Sequence, residues 1–166
     1  MSLYNASIPG FIRYFGQLSH ILDKAQADAE GRKIDPSVFI NARLAPDMFP
    51  LARQIQIASD VSKGFAARAA GIEIPSFADT ETTFEQLHER INKTVDFLKS
   101  IKPDQIDGKD SSNVTLKIGG KDTTLKAADY LFNFALPNFF FHVTTAYGIL
   151  RHNGVGLGKA DYQGAF

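Results

Sequence analysis

The chain has 166 residues, 44% of them apolar and 14 of them phenylalanine, and its 18 basic side chains are balanced by 18 acidic ones. That length supplies one self-sufficient core, so a single domain over 1–166 is expected, and a chain without basic excess lacks the electrostatic footprint of a nucleic-acid binder. It has no cysteine, which excludes disulfides, thiolate metal sites and cysteine nucleophiles at once.

Pro9 fits a first helical turn, and Phe11, Phe15, Leu18, Leu22, Ala25 and Ala29 then recur at intervals of four and three up to a stop at Gly31. A second such series is Met48, Leu51, Ile55, Ala58, Ser62, Phe65 and Ala69, entered through Pro46 and Pro50 and closed by Gly71. Thr82 and Glu85 match a capping box at the start of a third, Phe84, Leu87, Ile91, Thr94, Leu98 and Ile101. Residues 102–113 are polar and turn-rich, a surface loop. Val114 to Ile118 alternates, Gly119 and Gly120 permit positive φ, and Lys121 to Leu125 alternates again. That is a hairpin with a two-residue turn, which must pack on the helices to be stable. Residues 126–135 read as a short helix, and Pro137 predicts a kink or break before the fourth series, Leu136, Phe140, Val143, Tyr147 and Leu150. Asn153-Gly154 ends that helix, with Arg151 and His152 suited to its negative end. Four such seams predict a mainly α four-helix bundle with a small β-hairpin inserted between its third and fourth helices.

The last helix is apolar on nearly every side, which predicts burial all round, and it carries His142 on a second row with Phe139, Ala146 and Ile149. A buried imidazole needs a hydrogen-bond partner, a ligand or a metal, so His142 is the candidate functional residue. His20 belongs at the edge of its seam. Glu85 and His88 have the spacing of a di-iron bundle motif, but no second pair exists, and a solvated face is expected. Arg43 and Asp47 bracket a turn and predict a local ion pair. Gly154, Gly156 and Gly158 follow a helix C-terminus, the wrong end for a phosphate loop. They let the tail fold back, with Tyr162 and Phe166 packing on the bundle. No Gly-x-Ser-x-Gly elbow is present.

Two stretches resemble a known family. Arg43-Leu44-Ala45-Pro46-Asp47-Met48-Phe49-Pro50-Leu51, with Gln54 and Ala58, is similar to the second-helix signature of the domain-of-unknown-function family numbered 1993. Leu136-Pro137-Asn138-Phe139-Phe140-Phe141-His142, continuing through Ala146-Tyr147, Leu150 to Gly154, Gly158-Lys159 and Asp161, is similar to its C-terminal signature. The resemblance implies the DinB-like fold, whose metalloenzymes hold a metal with one histidine from the second helix and a His-x-x-x-His pair from the last. Some relatives are thiol-dependent transferases or hydrolases. Carried onto this chain, those positions are Gln54, Asn138 and His142. Only the last is a histidine, and Asn and Gln are poor ligands for zinc or nickel.

The expected function is therefore small-molecule binding or sensing without the superfamily's metal and with no cofactor. The pocket candidates are His142, Asn138, Gln54, Tyr147 and Arg151. The alternatives are a DinB-like metal-dependent transferase or hydrolase, or a structural protein that pairs as a homodimer through apolar helix faces; a homodimer is expected in any case. Residues 1–10 lack a signal peptide's basic start and apolar stretch, and no window approaches the ~20 apolar residues of a membrane span. A cytoplasmic protein with no membrane partner is expected.

Overall fold

The computed structural model describes residues 2–165. Helix α1 runs Ile8–Arg32 and the short α2 Pro36–Ile40; α3 runs Leu51–Ala70, α4 Phe84–Ser100, and the single turn α5 Pro103–Ile106. Strands β1 (Asn113–Ile118) and β2 (Lys121–Lys126) lead into α6 (Ala127–Tyr130), a π turn (Leu131–Ala135), α7 (Leu136–His152) and the tail helix α8 (Lys159–Gln163). The four long helices form a closed ring, in which α3 packs on both α4 and α7, and α1 packs on both α4 and α7.

Every member of the α1 and α4 seams is buried, and so are the α3 seam residues from Leu51 to Ala69. At the centre, the Phe139 ring meets Phe11 and Phe15 edge-on at 4.7 and 5.2 Å, and Phe11 reaches across to Phe65 at 6.2 Å. Edge-to-face rings at such spacings add attraction beyond the apolar area they bury. Among the described residues, no helix is long and apolar enough to cross a membrane.

The hairpin has the expected strands and turn. Gly119 and Gly120 hold φ of 57° and 81°, the left-handed conformations of a tight turn whose twist matches its strands. Thr115 and Thr124 face each other with hydroxyls 2.9 Å apart, and Val114 and Leu116 are buried against the bundle. Gly71 ends α3 at φ 75°.

Several boundaries differ from the sequence reading. Helix α1 passes through Gly31 and ends at Lys33, which adopts φ 55°. Met48 lies before α3, whose N-cap is Pro50. The capping box of α4 is one residue later than expected: Thr83 accepts from the Gln86 N–H at 3.2 Å, and Gln86 Oε1 accepts from the Thr83 N–H at 3.2 Å. The loop at 102–113 contains α5, because Ile106 is buried and pulls that turn inward against α3. Pro137 causes no break. The helical path continues from Ala127 to His152 through the π turn, where the Leu136 N–H reaches back five residues to the Leu131 carbonyl. A wider turn just ahead of a proline makes room for its ring and absorbs its missing donor.

Helix α7 corrects the largest expectation. Its core row is Phe139, Val143, Ala146 and Leu150, with His142 and Ile149 beside it, whereas Leu136, Phe140 and Tyr147 are half-buried. Nor is it buried all round: Phe141 is 56% exposed.

Candidate functional site

His142 is 8% exposed and faces the first turn of α3. Its Nδ1 lies 2.7 Å from Gln54 Oε1, while Gln54 Nε2 donates to the Phe49 carbonyl at 2.8 Å. That second bond fixes the amide, so Oε1 is the atom turned towards the ring and Nδ1 must carry the proton. Nε2 is then the lone-pair nitrogen. It has no protein partner among the described residues, and it is not sealed from solvent. Burial, followed by the positive charge of Arg53, pushes the His142 pKa down to about 4. At neutral pH the ring is an uncharged acceptor. The exposed Phe141 stands edge-on to it at 5.2 Å.

The other candidate positions separate. Asn138 is one turn before His142 on the same side of α7, half-buried, and its amide has no partner among the described residues. Tyr147 and Arg151 are not brought to the pair. Nine residues beyond His142, Arg151 is about half a turn round the helix, exposed in the last turn. Tyr147 joins the tail, with its ring 6.1 Å from that of Tyr162, whose hydroxyl lies 3.0 Å from Thr144 Oγ1. Tyr162 also meets Tyr14 at 5.3 Å, so the tail folds back as expected; Phe166, its other expected contact, lies outside the described residues. A shallow groove of about 530 Å³ runs along α7 between Leu44, Phe140, Phe141, Thr145, Tyr147 and Gly148.

The remaining polar candidates are structural. His20 Nε2 lies 3.1 Å from Asp161 Oδ1 on the surface. His88 Nδ1 lies 3.2 Å from Ser19 Oγ of α1, and its Nε2 lies 3.1 Å from Asp23 Oδ1 without hydrogen-bond geometry. Arg43 donates to the Pro46 carbonyl at 3.3 Å, and among the described residues no ion pair joins it to Asp47.

A second polar cluster was not anticipated. Arg90 is 1% exposed. Its Nε donates to Ser59 Oγ at 2.9 Å and its Nη2 to Asp60 at 2.8 Å. Its Nη1 lies 3.1 Å from each of three acceptors, the Ala78 carbonyl, Asp79 and Glu81. Lys63 donates to the Pro75 carbonyl at 2.7 Å, and Phe77 sits between the two cations at 4.9 and 5.3 Å. Among the described residues, no main-chain hydrogen bond ties residues 73–81 down. The whole connection from α3 to α4 is a strap fastened by side chains. The polar members of the facing seams, Ser62 and Thr94, were its sequence signal: Thr94 is 2.7 Å from Ser59, the partner of Arg90.

A crystal structure described as a DinB family member protein from Shewanella denitrificans is 39% identical to this chain, covering 99% of it and 93% of that chain, with a TM-score of 0.90. No curated protein matches. The metal that the resemblance would place at Gln54, Asn138 and His142 does not fit those residues. The His142 nitrogen that faces α3 carries a proton, its neighbour there is an amide, and no group of three His, Asp or Glu side chains suited to a metal occurs among the described residues. The family model described as a domain of unknown function (DUF1993) matches residues 3–163, and this DinB-like helical bundle belongs to that family.

Proposed function

We propose that this protein binds a small, largely apolar organic molecule carrying one hydrogen-bond donor, with His142 Nε2 as the acceptor and no metal. The observation that carries this reading is the half-used imidazole: Nδ1 is committed to Gln54, whereas Nε2 has no partner. Because Nε2 is open to solvent and unused by the protein, a ligand hydroxyl or N–H can take the place of water on it. The exposed Phe141 ring beside it supplies an apolar surface for the ligand's body, and the free amide of Asn138 offers a second polar contact. Phenol is a suitable probe. Titrated into ¹⁵N-histidine-labelled protein, it should shift the His142 Nε2 resonance saturably, and His142→Gln should abolish binding without unfolding the bundle. A Nε2 resonance that stays fixed up to millimolar phenol would sink the reading.

A homodimer is a second reading, favoured by the groove along α7, where Leu44 and Phe141 are 41% and 56% exposed beside the small residues Thr145 and Gly148. Sedimentation should then show a dimer that Phe141→Asp converts to a folded monomer. A wild-type monomer at micromolar concentration would end that reading.

A further inference from the structure

Arg53 lies in the first turn of α3, one residue before Gln54, and its guanidinium lies 5.9 Å from the ring of Phe49, whose carbonyl holds the Gln54 amide. Phe49, Arg53, Gln54 and His142 are thus one connected cluster. The guanidinium is only half occupied: Nη1 donates to Gln56 Oε1 at 3.2 Å and pairs with Asp79, while Nε and Nη2 have no partner among the described residues. The surrounding charges balance overall, Arg53, Lys63 and Arg90 against Asp60, Asp79 and Glu81, but among the described residues Asp79 is the one carboxylate on Arg53, and its other oxygen is on Arg90. Both Arg53 and Asp79 are about one-third exposed, at 36% and 37%, so a solute can reach them.

We propose that the free Nε–Nη2 edge of Arg53 receives a carboxylate, which makes the ligand of the His142 site an organic acid that also carries a hydrogen-bond donor, with Asp79 of the strap as the internal competitor for Arg53. The Nε–Nη2 edge of an arginine presents two roughly parallel N–H groups, matched to the two oxygens of a carboxylate. This assignment rests on the reading of His142 given above.

Phenol and 4-hydroxybenzoate separate the two claims, because they share a hydroxyl donor and differ in the carboxylate. The acid should bind the wild-type protein about five- to tenfold more tightly, the scale of a partly exposed charge-assisted contact. Arg53→Gln should remove that advantage and leave phenol binding unchanged. Asp79→Asn should act in the opposite direction and raise affinity for 4-hydroxybenzoate, because it leaves Arg53 less compensated. Equal affinity for the two probes in the wild type would overturn the assignment to Arg53 while leaving His142 as the acceptor. So would Arg53→Gln and Asp79→Asn weakening binding alike, since that marks only a damaged strap. If neither probe moves the His142 resonance, the acceptor role falls, and the carboxylate assignment falls with it.

Discussion

Acidification tests the environment of His142 quantitatively. An unfolded histidine titrates near 6.5, whereas burial and the nearby Arg53 charge hold the folded ring down at about 4. The folded pKa is depressed, so its contribution to stability is fully present above about 6.5 and is lost as pH falls towards 4. In that window the unfolded chain binds a proton that the folded one refuses, which gives a slope of about 1.4 kcal/mol per pH unit from this residue. Across the interval the loss amounts to about 3 kcal/mol. Carboxylates whose pKa is lowered in the fold, such as Asp161 and Asp35, also withdraw stability in acid, but they do so equally in a His142 variant. The assay is therefore a difference: urea unfolding of wild type and His142→Gln at matched pH values from 7 to 4. The stability of the wild type minus that of the variant should fall by about 3 kcal/mol over this range, whatever its value at pH 7. A difference that stays constant would show that His142 titrates alike in both states, and the account of a desolvated neutral ring would be wrong.

Three further outcomes follow from packing and hydrogen bonding. Phe139→Ala should cost about 3–5 kcal/mol in denaturant unfolding, and Phe140→Ala distinctly less, because the first ring fills the core and the second is half-buried. Arg90→Met should cost about 3 kcal/mol, the scale for breaking a buried ion pair, and should speed limited proteolysis within residues 73–81 more than within α3. Thr83→Ala should cost about 1 kcal/mol by removing the α4 cap, whereas Thr82→Ala should cost less because Thr82 is not the N-cap.

Three of the four seams were legible because helices α1, α3 and α4 each bury one stripe and turn a polar face to solvent, which leaves a clear period in the sequence. Helix α7 was misread for the opposite reason. With Phe139, Phe140 and Phe141 in a row, two neighbouring stripes are equally apolar, and only packing against Phe11 and Phe15 selects Phe139. Pro137 was legible as a perturbation but not as a π turn, because the wider turn is set by backbone register upstream. At the site, His142 and Gln54 could be paired in advance through the family resemblance, and the structure brings them within 2.7 Å. Periodicity put Tyr147 on the seam of α7, where the structure half-buries it against Tyr162 of the tail, and it carried no information that Arg151 faces away from His142. Arg53 and Arg90 were missed because charged residues on helices are ordinarily solvated. Burial of Arg90 depends on a strap whose Asp79 and Glu81 arrive from a connection with no periodic signal.

The tautomer of His142 is the most direct measurement. Long-range ¹H–¹⁵N correlation spectra of histidine-labelled protein at neutral pH should show a protonated Nδ1, hydrogen-bonded to Gln54, and an unprotonated Nε2. Gln54→Leu should remove the first signature and leave Nε2 free to change its proton. A proton on Nε2 in the wild type, or on both nitrogens, would contradict the account, because the ring would then have no acceptor to offer a ligand.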